Sequence, residues 1–167
     1  VAGLPRQFRL GNPACHAMLA RMPEDLAAAL ASLPHGPEFR FVDELTALDP
    51  GRSACGVFTL RPESDFLAGH FPQRPLMPGV LMIEALAQVA DMAAQTDSGT
   101  PPLADLCLTA VRQIKIHGTI EPGQALRIEA EITGRLGNLV QAGGRVLSDG
   151  GELLLEGQVT LSGAPAA

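Results

Sequence analysis

The chain of 167 residues is poor in aromatic side chains: it contains no tyrosine and no tryptophan, and aromatic residues make up 4% of it. It is also not basic, because its net charge is −6. Proteins that bind nucleic acids combine clustered positive charge with aromatic rings on which bases stack. The composition therefore argues against a nucleic-acid partner.

Cysteine is scarce as well. Cys15, Cys55 and Cys107 are odd in number, far apart in the sequence and in no metal-binding or redox motif. Disulfide frameworks are typical of short secreted chains with an even number of cysteines. We therefore expect three reduced packing residues and a cytoplasmic protein.

The sequence also shows no motif of metal ligands and no membrane span. His16, His35 and His117 lack the short spacings of metal ligands, so we expect no metal and no cofactor. No apolar run is long enough to span a bilayer. The sequence begins at Val1 without a methionine, so a targeting segment upstream stays an open alternative.

The chain does contain a stiff loop followed by an apolar helix. Three prolines lie between residues 72 and 78, and Gly69 and Gly79 flank them, so the loop that carries His70 has few conformations available. The sequence from 80 to 95 predicts a helix whose polar residues fall only at 84, 88, 91 and 95. These spacings place them on one stripe, and the remaining surface is so apolar that we expect other structure to enclose the helix.

Such a stripe has two interpretations. A polar stripe on a helix is usually solvated, and a histidine in a loop usually has no chemical role. The conjunction of the His70 loop, Pro78 at the first helical position and Glu84 near the helix start favours a site instead. The amide of Gly79 is then one of the unpaired donors at the helix start, where it suits a polarised carbonyl or an oxyanion.

The rest of the chain predicts one short helix and several strands. Acidic residues followed by alanines predict a helix over 23–32. Extended runs at 38–48 and 53–61 predict one hairpin, and runs at 138–148 and 152–161 predict a second around a turn at 149–151. Alternation of apolar and polar residues from 126 to 133 predicts a strand with one buried face, and 96–105 reads as a loop. An antiparallel meander that wraps the apolar helix, an α+β architecture, buries both elements.

These motifs resemble a known family. The segments GHFP (69–72), RP (74–75), MPGVL (77–81) and EALAQ (84–88), with LPHGP (33–37), FVD (41–43) and IEPG (120–123), are similar to the signature of the bacterial 3-hydroxyacyl-[acyl carrier protein] dehydratases. That family has the hotdog fold. The resemblance implies a hotdog domain over 25–163, with an extension of unclear role at 1–24 and a tail at 164–167.

The resemblance also implies a chemistry. In the family, residues matching His70 and Glu84 form the catalytic pair, and the amide matching Gly79 binds the thioester carbonyl. Elimination of water needs a base for the proton next to the thioester and an acid for the departing 3-hydroxyl, roles that suit His70 and Glu84. A branch that also isomerises the double bond has aspartate at the position of Glu84, so plain dehydration is favoured. Gln88 either orients the Glu84 carboxyl or is a polar neighbour without a role.

Other residues are candidates for the surroundings of the site. We expect the substrate tunnel to involve Phe71, Pro78 and Val80. An acidic acyl carrier protein would need a local basic patch here. The candidates for that patch, which are equally well explained as ordinary surface charges, are Arg74, Arg112 and Lys115.

The family forms homodimers in which each site takes its histidine from one subunit and its glutamate from the other, and the resemblance implies the same here. Two other functions stay open. A hotdog thioesterase would use a carboxylate to activate water and would not need the His70 loop. A non-catalytic acyl-binding or scaffold protein would keep the tunnel without the chemistry, although the pair His70 and Glu84 argues against it.

Overall fold

The computed structural model describes residues 23–165, which form one sheet and two helices. The helices are α1, Pro23–Ala31, and α2, Gly79–Gln95. The strands are β1 (Glu44–Asp49), β2 (Ser53–Thr59), β3 (Leu103–Ile116), β4 (Ala125–Leu136), β5 (Leu139–Ser148) and β6 (Leu153–Pro165). Two short 3₁₀ turns lie at Pro37–Phe39 and Asp65–Ala68. The predicted extension, apart from its last two residues, lies outside the described residues.

The six strands form a single antiparallel sheet in the order β1-β2-β4-β5-β6-β3. Both predicted hairpins are present, and β4, β5 and β6 form a continuous meander. The chain leaves the sheet after β2 to form α2 and then returns along the far edge as β3. This strand therefore pairs only with β6 within the described chain, and its other edge is open.

Helix α2 packs against five of the six strands, β2 to β6, and is buried from Ala85 to Ala94. At Gly144 on β5 the sheet packs tightly against the helix, and an added Cβ atom would overlap both Leu86 Cδ1 and the carbonyl oxygen of Glu129. Only glycine fits between the helix and the neighbouring strand at this point. The wrapped helix and the antiparallel sheet confirm the predicted α+β hotdog fold.

Three local predictions were wrong. Strand β1 begins at Glu44 and not at residue 38, because Pro37–Phe39 forms a 3₁₀ turn. Pro78 is the residue before the helix, with ψ 131°, and Gly79 is the first helical residue. Strand β3 was not predicted at all, and it begins within the loop expected over 96–105.

The cysteines also differ from expectation. Cys107 is a free thiol, as predicted, but it is exposed on β3 and is therefore not the packing residue that was expected. Cys55 is buried on β2, but it is disulfide-bonded, which contradicts the prediction of three reduced packing residues. Over residues 23–165, no helix is both long enough and apolar enough to cross a bilayer.

Candidate active site

The His70 loop is a compact turn that leads into α2. It follows the 3₁₀ turn at Asp65–Ala68, and the amide of His70 donates to the carbonyl of Leu67 at 3.3 Å. Phe71 adopts φ 55°, a left-handed conformation that is rare for a residue with a bulky side chain. The amide of Arg74 closes the turn by donating to the carbonyl of Phe71 at 2.8 Å. Strained backbone of this kind often accompanies functional loops, because the surrounding structure must hold it in place.

The imidazole of His70 is held in one tautomer. Its Nδ1 lies 3.0 Å from the carbonyl oxygen of Leu76, which can only accept a hydrogen bond. The proton of the neutral ring is therefore on Nδ1, and Nε2 carries the free lone pair. The ring of Phe71 contacts the imidazole edge-on at 4.5 Å between centroids. The nitrogen of His70 that can accept a proton is therefore Nε2.

The start of α2 presents free backbone donors. Gly79 is the first helical residue, so its amide is among those without a partner inside the helix. The amide of Leu81 already bonds the carbonyl of Pro78 at 2.9 Å. A Cβ atom on Gly79 would lie 2.7 Å from Ile116 Cδ1 on β3. Glycine therefore keeps this helix start open, as the predicted contact with a thioester carbonyl would need.

Glu84 lies about one turn beyond Gly79 on α2, and one oxygen of its carboxyl group is in contact with other side chains. Gln88 Nε2 donates to Glu84 Oε1 at 3.0 Å, and His35 Nε2 lies 3.3 Å from the same oxygen. Both contacts are made to Oε1, and none of the described residues is bonded to Oε2. Oε2 is therefore the oxygen that is free to carry or give up a proton.

Gln88 itself is fixed by the backbone. Its Oε1 accepts from the amide of Phe41 at 2.9 Å, and its Nε2 donates to the carbonyl of Phe39 at 2.9 Å as well as to Glu84. The side chain is 1% exposed. These bonds determine which end of the amide faces Glu84, so Gln88 positions that carboxyl from within the core.

A cavity of about 380 Å³ lies beside Glu84, between α2, β3 and the segment of the 3₁₀ turn that carries Phe39. Gln88 and Asp91 line it from the helix, and Leu106 and Leu108 line it from the strand. The polar stripe predicted on α2 thus faces a cavity in the protein and not bulk solvent.

His70 does not share this cavity. In the described chain no hydrogen bond or ion pair joins His70 to Glu84, and His70 does not line the space around the carboxyl group. The loop instead lies in an exposed apolar region: Phe71 is 60% exposed and Val80 is 67% exposed. Ile116, at the end of the open strand β3, is exposed beside them.

The predicted docking residues lie on the surface, and two are already paired. Arg74 Nε lies 3.3 Å from Glu121 Oε1, and Lys115 Nζ lies 3.6 Å from Glu156 Oε1. Arg112 is exposed on β3. The paired acids reduce the positive field that the first two residues offer to an acidic partner.

Sequence reasoning missed two residues of the site. His35 was considered only as a metal ligand and as part of the LPHGP segment, and its contact with Glu84 depends on the fold of the 33–41 segment. Asp91 was only one member of the polar stripe. It is 6% exposed, its Oδ1 has no hydrogen-bond partner, and burial together with the charge of Glu84 raises its pKa to about 7.

Comparison with known proteins places the chain among acyl-thioester enzymes. Residues 33–157 match the family model of the FabA-like domain. The chain is 40% identical over 131 residues to the 3-hydroxyacyl-[acyl-carrier-protein] dehydratase FabZ of Natranaerobius thermophilus, covering 78% of this chain and 90% of the relative. It is 32% identical over 136 residues to the FabZ dehydratase of Rickettsia bellii, covering 81% and 93%.

Solved structures agree on the fold. The dehydratase heterocomplex ApeI:P from Xenorhabdus doucetiae aligns with a TM-score of 0.68 at 16% identity, covering 83% of this chain and 90% of that one. Zebra fish thioesterase superfamily member 2 aligns with a TM-score of 0.60 at 15% identity, covering 80% and 90%. At these identities the likeness establishes the architecture and leaves the reaction to the sequence relatives and the site.

Proposed function

Because the chain belongs to the FabA-like family of 3-hydroxyacyl-[acyl-carrier-protein] dehydratases, we propose that it removes water from a 3-hydroxyacyl thioester on acyl carrier protein. The product is the trans-2-enoyl thioester, in fatty acid biosynthesis or a related acyl-chain pathway. The observation that carries the proposal is that His70 and Glu84 each have one side-chain atom held by a contact and the other atom free. His70 has its lone pair on Nε2, and Glu84 has Oε2 free to carry a proton.

These two atoms suit the two proton transfers of the elimination. Nε2 of His70 takes the proton from the carbon next to the thioester, and the enolate oxygen that develops bonds the amide of Gly79. Oε2 of Glu84 gives its proton to the 3-hydroxyl, which then leaves as water. Hydroxide is a poor leaving group, so this protonation is needed for the carbon–oxygen bond to break.

The reaction needs both groups at one substrate, whereas within the described chain His70 does not line the cavity beside Glu84. The proposed enzyme is therefore a homodimer in which the His70 loop of one subunit faces the Glu84 cavity of the other. The open edge of β3 and the exposed Phe71, Val80 and Ile116 support this arrangement, because a monomer rarely leaves a long strand edge and apolar side chains uncovered together. Phe71, Pro78 and Val80 stay our candidates for the tunnel wall.

Acyl carrier protein is the proposed carrier because the relatives are named for it. Arg112 is the best placed of the three predicted docking residues, since Arg74 and Lys115 are engaged with acids. The cytoplasmic location and plain dehydration without isomerisation stay predictions. The disulfide at Cys55 removes one premise of the predicted location, namely that all cysteines are reduced.

The test is a dehydration assay with two readouts. The purified protein is incubated with a 3-hydroxyacyl thioester on acyl carrier protein and, separately, with the trans-2-enoyl thioester, while absorbance of the conjugated enoyl group and release of free thiol are followed. We expect interconversion of the two thioesters without thiol release. Thiol release without enoyl product would instead support the thioesterase alternative, and binding without either signal would support an acyl-binding protein.

A further inference from the structure

Two described residues of the site have a buried side-chain atom without a hydrogen-bond partner, His35 at Nδ1 and Asp91 at Oδ1, and of the two only Asp91 has no side-chain contact to Glu84. It lies two helical turns beyond Glu84 on the same face of α2, and its side chain is more than nine-tenths buried. Its Oδ1 lacks a hydrogen-bond partner. Buried polar atoms without a partner are rare in native structures because they lose their hydration without compensation. An isolated acid kept at such a position is expected to serve a ligand.

The space around Asp91 is where an acyl chain would continue. The cavity beside Glu84 ends at Asp91, and a second cavity of about 630 Å³ begins there, so that Asp91 and Leu106 line both. Glu84 and Asp91 are seven residues apart, which corresponds to about 10 Å along the helix. An extended chain covers this distance in roughly eight carbon–carbon bonds of ordinary length and angle.

The two cavities that meet at Asp91 are lined by acidic side chains and by no lysine or arginine among the described residues. The second cavity also carries Asp25 and Asp105 at its exposed rim. The raised pKa of Asp91 agrees with the absence of a nearby cation. A ligand group that pairs with the carboxylate of Asp91 on this path must therefore be a hydrogen-bond donor.

We propose that Asp91 is a specificity residue that accepts a hydrogen bond from a donor group, in the first place a hydroxyl, carried far along the acyl chain of the substrate. This inference rests on the proposed dehydration and deepens it. The favoured substrate is a 3-hydroxyacyl thioester with a second polar group near its far end, and a plain saturated chain leaves Asp91 unpaired. A terminal amine can also donate a hydrogen bond to Asp91, so the experiment tests an ω-amino substrate beside the ω-hydroxy one.

The experiment compares matched thioesters on the full chain. The substrates are N-acetylcysteamine thioesters of 3-hydroxydecanoate, of its ω-hydroxy analogue and of its ω-amino analogue, assayed with wild type, Asp91→Asn and Asp91→Leu. We expect wild type to favour a donor-bearing chain by about tenfold in kcat/KM. The preference should persist in part in Asp91→Asn, which keeps an acceptor oxygen, and reverse in Asp91→Leu. Asp149→Asn, at an exposed turn outside both cavities, is the control and should match wild type.

The outcomes separate this inference from the proposed function. Dehydration of all three thioesters with equal kcat/KM, unchanged in Asp91→Leu, would overturn the inference and leave the dehydratase intact. If no thioester loses water, the proposed function fails. The binding of the same thioesters to wild type then decides: tighter binding of a donor-bearing chain that Asp91→Leu abolishes would support the site, and equal binding would overturn it too. A preference for the amine over the hydroxyl would identify the donor as cationic.

Discussion

The two halves of the candidate site are built in opposite ways. The Glu84 side chain is mostly buried, at 18% exposed, and its Oε1 accepts from Gln88, which two backbone groups fix in turn, and is contacted by His35. His70 lies on a surface loop and has one orienting bond, to the carbonyl of Leu76. The side chains beside His70 are apolar and exposed, whereas those beside Glu84 enclose a cavity.

This contrast distinguishes the half of the candidate site that lines a cavity from the half that lies on the surface. The acid side has its carboxyl group, its orienting partners and its cavity. The base side has an oriented imidazole, which does not line the cavity beside Glu84. In the proposed dimer a second subunit covers this loop, and Ile116 at the end of the open strand β3 lies beside it.

The largest effect should come from removing either proton-transfer group. We expect His70→Ala and Glu84→Gln each to lower kcat by about 10² to 10⁴ with little change in the thermal midpoint of unfolding, because each removes one transfer. Steady-state kinetics and a thermal melt measure both quantities. Glu152→Gln, at an exposed turn, is the control for the loss of a carboxylate and should keep full activity. A Glu84→Gln enzyme as active as this control would exclude the acid role.

Mixing the two inactive variants tests whether the halves come from different chains. When His70→Ala and Glu84→Gln subunits exchange at random, about half of the dimers are mixed, and each mixed dimer has one intact site if the site is shared. Activity per subunit should then recover to roughly a quarter of wild type. The measurement is turnover before and after exchange, with each variant exchanged against itself as the control. No recovery, in a sample shown to contain mixed dimers, would mean that each chain builds its own site.

The next largest effect should come from Gln88, which contacts Glu84 and not His70. Gln88→Met keeps the size of the side chain but leaves the amide of Phe41 and the carbonyl of Phe39 without their buried partner. We expect a loss of about 2 kcal/mol in the free energy of unfolding and about tenfold in kcat, because the Glu84 carboxyl is no longer held. Urea titration and kinetics measure these losses.

The control for this change is Gln141→Met on the exposed face of β5, which should alter neither quantity. An unchanged kcat in Gln88→Met, despite the lower stability, would show that Gln88 supports the fold and not the position of Glu84.

Much of this architecture could be predicted from the sequence. The polar stripe on an otherwise apolar helix predicted both the burial of α2 and the face on which Glu84, Gln88 and Asp91 meet. Turn residues at 49–51 and 149–151 predicted the two hairpins, β1–β2 and β5–β6. These features depend on residues close in sequence, for which period and turn chemistry carry the information.

The rest depended on tertiary structure. Strand β3 was missed because most of its residues are exposed on the isolated chain and no alternation of apolar and polar side chains marks a buried face. The contact of His35 with Glu84 joins residues 49 positions apart and follows from the 3₁₀ turn at Pro37–Phe39. The isolation of Asp91 was equally invisible, because a sequence does not show which buried group lacks a partner.

The smallest effect concerns the pH dependence of stability. It should distinguish Asp91, whose Oδ1 has no partner, from Gln88, which is hydrogen-bonded on the same stripe. The pKa of Asp91 rises from 3.8 in the unfolded chain to about 7 in the folded protein, mainly through burial and secondly through Glu84. The folded state thus holds this proton more tightly, so its contribution to stability is fully present below about pH 4 and is lost as pH rises through about 7. Glu84 and His35 face the same space, and Asp25 and Asp105 lie at its rim. We therefore compare the free energy of unfolding of Asp91→Asn with that of wild type at two pH values. The difference in favour of Asp91→Asn should be larger at pH 8 than at pH 5, by about 2 kcal/mol. Urea titrations at both pH values measure this difference, with Asp149→Asn as the control that should show none. A gain that is independent of pH would mean that Asp91 does not titrate in this range and that its burial costs the fold nothing through charge.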